Sequence, residues 1–216
     1  MNDEMLRISE LYASIQGEST FAGVPCFFVR LAGCNLRCSY CDTRHARRGG
    51  TMRRAGDIVR AAVSSGCPVV EVTGGEPLLQ PGTPRLCGEL KSRGLTVLVE
   101  TNGSRDIGAL PRGIVRIVDV KCPGSGMDGS FLASNLDALR RGDQVKFVLT
   151  GRADYEWARR FIGRHRLAAR CTVILSPVWR RLKPSTLASW MLRDRLAVRM
   201  GIQLHKVIWG DRVHHV

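Results

Sequence analysis

Short apolar, β-branched runs alternate with segments of helical length along this chain, and this alternation leaves few folds open to it. Strands are predicted at 26–31, 69–73, 95–101, 114–121, 144–149 and 171–175, and helices at 55–65, 84–93, 130–141, 154–165 and 184–200. A final apolar stretch, 207–209, follows the last helix. Strands that are joined through helices run mostly parallel, with right-handed crossovers. The pattern therefore predicts an α/β fold.

The length of the chain indicates which α/β architecture to expect. A complete eight-stranded TIM barrel usually takes about 250 residues, whereas this chain has 216. About six parallel strands in a single domain, residues 1–216, predict a partial (incomplete) TIM-like βα barrel. Functional residues are expected at the carboxyl ends of the strands, where such folds bind their ligands.

Three cysteines, Cys34, Cys38 and Cys41, form a C-x3-C-x2-C motif directly after the first predicted strand. A structural zinc site normally has four protein ligands, and neither a second C-x2-C pair nor a nearby H-x3-H pair supplies a clear fourth. An iron–sulfur cluster that is bound by three thiolates, with one iron left open, matches the number of ligands. The motif therefore favours a cluster over zinc.

The other cysteines are interpreted as reduced thiols. No basic-then-apolar signal begins the chain, and no apolar run approaches the length of about 18 residues that a membrane span needs. A cytoplasmic protein is therefore expected, in which thiols bind metals more often than they form disulfides. Cys26, Cys67, Cys87 and Cys171 lie in or beside apolar runs and are predicted to be buried, whereas the role of Cys122 stays open.

The net charge of +14 is compatible with nucleic-acid binding, because clustered cations bind phosphate. The basic residues are dispersed in pairs such as Arg47-Arg48 and Arg140-Arg141, without a dense basic tail. A preference for small anionic substrates is therefore favoured. The alternative from another class is a basic nucleic-acid-binding module with a structural metal site.

A second motif, Gly74-Gly75-Glu76-Pro77, follows the second predicted strand. Glycines let the backbone approach a ligand closely, and the neighbouring carboxylate can accept hydrogen bonds from an ammonium group. Taken alone, these four residues are also a common way to end a strand.

In combination, the two motifs are similar to those of the radical S-adenosylmethionine superfamily. The resemblance implies a [4Fe-4S] cluster whose open iron binds S-adenosylmethionine, and one-electron cleavage of that cofactor to a 5'-deoxyadenosyl radical. It places Tyr40 near the adenine and assigns Gly75 and Glu76 to cofactor binding. Within the superfamily, the nearest alternative is a glycyl-radical activating enzyme, which acts on a protein.

Further distinctive segments narrow the resemblance. They are Ile-Gln-Gly-Glu at 15–18, Arg30 on the strand before the cysteines, Cys-Asp-Thr at 41–43, Glu-Thr-Asn-Gly at 100–103 and Gln-Leu-His-Lys-Val-Ile-Trp at 203–209. Together they extend over most of the chain and resemble the 7-carboxy-7-deazaguanine synthase family of queuosine and 7-deazapurine biosynthesis.

This resemblance implies a lyase that contracts 6-carboxy-5,6,7,8-tetrahydropterin to 7-carboxy-7-deazaguanine with loss of ammonia, using S-adenosylmethionine and Mg2+. Arg30 would bind the pterin carboxylate as a bidentate fork, and Thr43 would ligate the Mg2+. The implied substrate-binding set is Ile15, Gln16, Gly17, Glu18, Arg30 and Thr73. The implied cofactor-binding set is completed by Lys121, Ser125 and Ser176.

The expected partners follow from the same resemblance. They are the pterin substrate, an external one-electron reductant such as flavodoxin or ferredoxin, and a second copy in a homodimer. Neither a membrane nor a nucleic acid is expected. For His205 and Lys206 the sequence is equally compatible with an anion contact and with ordinary packing.

Overall fold

In a computed structural model, one sheet of nine strands organises residues 4–210, the part of the chain that the structure describes. The strands are β1 Met5–Ile15, β2 Pro25–Leu31, β3 Thr51–Arg54, β4 Val69–Gly74, β5 Thr96–Thr101, β6 Val115–Asp119, β7 Gln144–Leu149, β8 Thr172–Pro177 and β9 Arg199–Met200. The α-helices are α1 Ala55–Ser64, α2 Thr83–Ser92, α3 Asn135–Ala138, α4 Arg152–Arg164, α5 Pro184–Arg193 and α6 Leu204–Trp209. Residues 1–3 and the tail at 211–216 lie outside the described part. None of the helices above has the length and apolar composition that crossing a membrane requires.

The strand order is β3-β1-β2-β4-β5-β6-β7-β8-β9. Every neighbouring pair from β2 to β9 is parallel, whereas β1 lies antiparallel between β3 and β2. The sheet stays open, with β3 and β9 at its two edges. This arrangement confirms the predicted α/β fold with an incomplete barrel of parallel strands.

The six predicted strands correspond to β2 and to β4 through β8, but the sequence reasoning missed β1 and the two short edge strands, β3 and β9. Leu6, Ile8 and Tyr12 alternate along β1 and are buried, which is the usual pattern of a half-buried strand. The register shifts between Ile8 and Glu10, so that Ile8 pairs with Leu31 on the outer face, whereas the buried Glu10 pairs with Arg30 and shares the inner face with Tyr12. Its burial is offset by Arg30 on β2, which donates to the carboxylate at 2.6 Å, and that contact is not visible in a local pattern.

Two predicted helices were wrong in extent, and the apolar stretch 207–209, to which the sequence assigned no element type, is helical. The segment 130–141 contains only the short helix α3. The Asn135 side chain donates to Gly103 O and Arg105 O and accepts from Ile107 N, and these bonds tie the segment to the loop after β5 rather than to a longer helix. The predicted helix 184–200 ends at Arg193, since Arg195 adopts a left-handed conformation (φ 49°) before β9 begins. The apolar stretch 207–209 belongs to α6.

The two faces of the sheet have different roles. On the outer face, helices α1, α2 and α4 cover the apolar side chains of the strands. On the inner face a small apolar cluster lies low in the barrel, formed by Tyr12, Cys26, Phe28, Val69, Leu98 and Ile117. Because side chains alternate along a strand, the residues two positions further on face the same side, and they are Arg30, Glu71, Glu100 and Asp119. The apolar cluster is therefore the base of a polar interior.

A buried ion pair fixes the crossover between β6 and β7. Arg116 and Asp143 are only 1% and 2% exposed. Arg116 Nε donates to both carboxylate oxygens of Asp143 at 3.0 Å, and Arg116 Nη2 donates to Ala138 O at 2.6 Å. The same carboxylate accepts from the Arg140 amide at 2.7 Å. Each charge is thus compensated, and loss of either partner would strand the other away from water.

The structure confirms the predicted burial of Cys26, Cys67, Cys87 and Cys171. Cys122, whose role the sequence left open, is also fully buried. All of these cysteines are free thiols.

Candidate active site

A cavity of about 460 Å³ opens at the carboxyl ends of the parallel strands. Most of the residues that the sequence singled out lie on its wall: Ile15, Gln16, Gly17, Glu18, Arg30, Cys34, Cys38, Tyr40, Cys41, Thr43, Thr73, Gly75 and Lys121. Glu76, Ser125 and Ser176 do not line it. The structure thus brings together segments that are as far apart in sequence as β1 and β6.

The cysteine loop leaves β2 at Leu31 and is held against the Gly-Gly-Glu-Pro loop by main-chain contacts. Gly75 N donates to Leu31 O at 3.1 Å, and Glu76 N donates to Gly33 O at 2.7 Å. A Cβ atom on Gly75 would lie 2.1 Å from Gly33 O and 2.7 Å from the Cβ of Cys34. Glycine is needed here because the two loops approach too closely for any side chain.

The three thiols fit a cluster better than a single metal ion. Cys34, Cys38 and Cys41 all line the cavity, and burial raises the pKa of the Cys34 and Cys38 thiols. Among residues 4–210, no three Cys, His, Asp or Glu side chains converge on a point that would hold one ion. In an iron–sulfur cluster each thiolate ligates a different iron, so such convergence is not needed. The arrangement is therefore compatible with a cluster that is bound by three thiolates.

Glu76 is a buried anchor between loops. It is 0% exposed. Its Oε1 accepts from Leu78 N at 2.9 Å and from the Thr101 hydroxyl at 2.8 Å, and its Oε2 accepts from Asn102 N at 2.7 Å. Burial raises the pKa of Glu76 although these donors oppose the shift. Asn102, which lines the cavity, in turn donates to the Asn35 side chain of the cysteine loop at 3.1 Å.

Ser125 and Ser176 are also buried behind the wall. The Ser125 hydroxyl donates to Cys122 O at 2.6 Å, while the Ser125 carbonyl accepts from Ser39 N in the cysteine loop at 3.0 Å. Ser125 thus supports the loop through its backbone. The Ser176 hydroxyl has no hydrogen-bond partner within the described part of the chain.

Tyr40 and Lys121 are neighbours on the cavity wall. The Lys121 ammonium lies 5.9 Å from the centre of the Tyr40 ring and donates to Asp119 at 2.7 Å. Burial alone would lower the pKa of Lys121, but the Asp119 carboxylate outweighs it and raises the pKa. Lys121 is therefore a fixed cation beside the cysteines.

Four charged residues that the sequence reasoning missed form the cavity floor: Glu71, Glu100, Asp119 and Lys146. The Lys146 ammonium donates to Glu100 and, at 2.8 Å, to Glu18. Burial and the neighbouring Glu100 carboxylate raise the pKa of Glu71 to about 8. A signal was present in the sequence, because Glu71 and Lys146 are charged residues inside apolar strands.

Gln16 is held in one orientation on this floor. Its Nε2 donates to Glu71 at 2.7 Å, and its Oε1 accepts from the amides of Glu18 and Ser19 at 2.8 and 3.0 Å. Burial alone would raise the pKa of Glu18, but Lys146 and His205 lower it well below its usual range. The loop after β1 is therefore rigidly connected to the strand ends.

Arg30 is positioned by two groups of β1. Its Nε donates to Glu10 at 2.6 Å, and its Nη2 donates to the Tyr12 hydroxyl at 2.7 Å. The guanidinium is 12% exposed and borders the cavity. Thr73, its register partner on β4, lies beside it on the same wall.

Helix α6 closes one side of the cavity with His205 and Lys206. Both residues line the cavity. Lys206 Nζ donates to Asp42 at 2.6 Å, which joins the helix to the cysteine loop. A Cβ atom on Gly17 would lie 2.5 Å from His205 Nδ1. The helix therefore packs against the loop after β1 and the cysteine loop, and its side chains form part of the cavity wall.

The family model of the radical SAM superfamily matches residues 29–120 of this chain. The 7-carboxy-7-deazaguanine synthase of Koribacter versatilis is 45% identical, and the match covers 94% of this chain and 97% of that protein. The corresponding enzyme of Chlorobaculum tepidum is 46% identical over 95% of this chain and 94% of its own length.

Among solved structures, QueE from Escherichia coli superposes with a TM-score of 0.78 at 22% identity, covering 93% of this chain and 95% of that one. Streptococcus suis SuiB bound to its precursor peptide superposes with a TM-score of 0.59 at 11% identity. SuiB is matched over 49% of its chain, against 84% of this one. At these identities the structural likeness shows a shared fold.

Proposed function

The chain belongs to the 7-carboxy-7-deazaguanine synthase family of radical S-adenosylmethionine enzymes, and we propose that its cavity binds 6-carboxy-5,6,7,8-tetrahydropterin and contracts it to 7-carboxy-7-deazaguanine with loss of ammonia. The observation that carries the proposal is a polar floor, with an arginine at its edge, beneath the three cysteines of one cavity. Such a site suits a small polar ring with a carboxylate. The reaction would belong to queuosine and 7-deazapurine biosynthesis.

The cofactors of the family are a [4Fe-4S] cluster and S-adenosylmethionine, which together supply a 5'-deoxyadenosyl radical after one-electron reduction. Cys34, Cys38 and Cys41 would hold the cluster. Gly75 offers main chain without a side chain beside Cys34, where the methionine part of the cofactor would lie. Tyr40 and Lys121 would border the rest of the cofactor, and Glu76, Ser125 and Ser176 would act from behind the wall.

The substrate would lie between the loop after β1 and the strand ends. Arg30, with its orientation fixed by Glu10 and Tyr12, would bind the pterin carboxylate. Gln16 and the main chain of 15–17 would meet the pyrimidine edge, and Thr73 would contact the ring. Because Arg30 is fixed by two groups of β1, and Gln16 by Glu71 and its own loop, both side chains would hold the substrate in one orientation.

Thr43 would provide an oxygen ligand to Mg2+. Its hydroxyl lies 3.9 Å from the Cys41 sulfur and borders the cavity. Mg2+ commonly takes few protein ligands and completes its shell with water and substrate oxygens. A single hydroxyl beside the substrate carboxylate fits this preference. The other proposed partners are an external one-electron reductant and a second copy of the chain in a homodimer.

The test is an anaerobic assay of the iron-reconstituted protein with S-adenosylmethionine, Mg2+, dithionite and the carboxytetrahydropterin, with product identified by ultraviolet absorbance and mass. We expect 7-carboxy-7-deazaguanine from the wild-type protein, and neither product nor cluster absorbance from Cys38→Ala. Cys122→Ala is the matched control, because Cys122 lies outside the cavity. Release of 5'-deoxyadenosine without the deazaguanine would reject this substrate and favour the protein-activating alternative.

A further inference from the structure

Three arginines surround the cysteine loop, and each donates a hydrogen bond to the main-chain carbonyl of a different cysteine. Arg37 Nη1 donates to Cys34 O at 2.8 Å. Arg44 Nε donates to Cys41 O at 3.2 Å. Arg47 Nη2 donates to Cys38 O at 3.1 Å. We name Arg37, Arg44 and Arg47 the arginine collar.

The positive charge of the collar is not neutralised locally. Among residues 4–210, none of the three guanidinium groups has a carboxylate within ion-pair distance. Their further bonds also go to carbonyls, from Arg37 to Leu36 O at 2.7 Å and from Arg44 to Ser39 O at 3.3 Å. Asp42, the acidic residue of the loop itself, is paired with Lys206 at 2.6 Å.

The collar is largely exposed to solvent, and Arg44 also borders the cavity. Arg37 and Arg44 are exposed and Arg47 is half-buried. Two further exposed arginines are close in the chain or the fold: Arg48 follows the collar directly, and Arg105 follows Ser104, whose hydroxyl accepts from the Asn35 side chain at 2.8 Å. The exposed side chains of the cysteine loop are therefore predominantly cationic, on a protein of net charge +14.

We propose that the arginine collar is the docking surface for an acidic one-electron carrier protein. The inference rests on the proposed function, which needs an external reductant. Electron transfer requires the donor to approach the cysteine loop closely, and the collar is the charged surface at that place. A negative patch on the donor would be attracted and oriented by it. The reduced donor would lose one electron, and the cluster held by the three cysteines would gain it.

The test measures binding rather than turnover, so that a change of cluster potential does not enter. Oxidised flavodoxin, an acidic carrier, is titrated into the cluster-loaded protein by isothermal calorimetry at low and at high salt. The test variant is the triple R37Q/R44Q/R47Q. A rim charge changes affinity by a few-fold, so we expect the Kd of the triple variant to rise about tenfold at low salt and to approach the wild-type value at high salt.

Two matched variants show whether a loss of affinity comes from the charge of the collar, from net charge or from the shape of the guanidinium groups. R60Q/R85Q/R93Q removes the same charge from exposed positions on or just after helices α1 and α2, and its Kd should stay within about twofold of wild type if position matters rather than net charge. R37K/R44K/R47K keeps the charge of the collar without its planar fork and should retain most of the affinity.

The proposal is overturned if the glutamine triple binds flavodoxin as wild type does, if the helix triple weakens binding equally, or if wild type does not bind. It is also overturned if the lysine triple fails as completely as the glutamine triple, because the arginines would then act by holding the loop. Iron content and thermal melts show that each variant is folded and loaded. Failure of the proposed function is separate, since it is a lack of deazaguanine product from wild type with dithionite.

Discussion

The titration of Glu71 should make the free energy of unfolding depend on pH, and a single substitution should remove this contribution. Its pKa of about 8 lies above the ordinary value of 4.5 because of burial and the Glu100 carboxylate. Between these two values the native state holds a proton that the unfolded state has released, so the free energy of unfolding must fall as the pH rises. One proton is worth about 1.4 kcal/mol per pH unit, and the whole interval is worth on the order of 5 kcal/mol.

The perturbation is Glu71→Gln, which has the shape of the protonated acid and no charge to lose. Its amide oxygen can still accept from Gln16, whose Nε2 lies 2.7 Å from Glu71 in the wild-type protein, and its amide nitrogen can donate to Glu100. We expect the unfolding free energies of variant and wild type to be similar near pH 5. Near pH 8.5 the variant should be more stable by on the order of 4 kcal/mol.

The assay is urea unfolding of the cluster-free protein under reducing conditions, followed by circular dichroism from pH 5 to 8.5. Glu89→Gln, at a half-buried position on α2, is the matched control, and its free energy of unfolding should change with pH as that of wild type does. Taking differences between variants cancels the titration of the groups that do not interact with Glu71. Parallel curves for Glu71→Gln and wild type would refute the claim that Glu71 is protonated in the folded protein at neutral pH.

Three further changes test other parts of the site and the fold. Thr43→Ala should raise the Mg2+ concentration for half-maximal activity by at least about tenfold with the cluster spectrum intact, whereas Thr43→Ser should not; an unchanged Mg2+ requirement removes Thr43 from the metal site. Arg30→Ala should raise the KM for the pterin, with 5'-deoxyadenosine still formed in dithionite, and a wild-type KM would contradict the carboxylate role. Asp143→Asn should lower the free energy of unfolding by about 3–5 kcal/mol, because it leaves the buried Arg116 unpaired; a loss under about 1 kcal/mol in urea unfolding would show that the pair does not fix the crossover.

Local patterns predicted much of this protein. The alternation of apolar runs with helical segments predicted six of the parallel strands, since the period of side chains along a strand depends only on neighbouring residues. The cysteine spacing and the Gly-Gly-Glu-Pro turn identified the cluster loop and its partner loop, because a motif of this kind is a short stretch of chain with its own geometry. Most of the proposed site residues could thus be named before the structure.

The tertiary structure decided which of those residues face the cavity. The sequence predicts Glu76 as a ligand-binding carboxylate, but in the fold the carboxylate accepts hydrogen bonds from Leu78, Thr101 and Asn102. The charged floor was missed because Glu71 and Lys146 come from strands that are not adjacent in the chain. The burial of each charge is explained only by the polar contacts that it makes with residues of other segments. A buried charge is tolerated where its counterpart lies across the sheet, and strand order, rather than any local pattern, places it there.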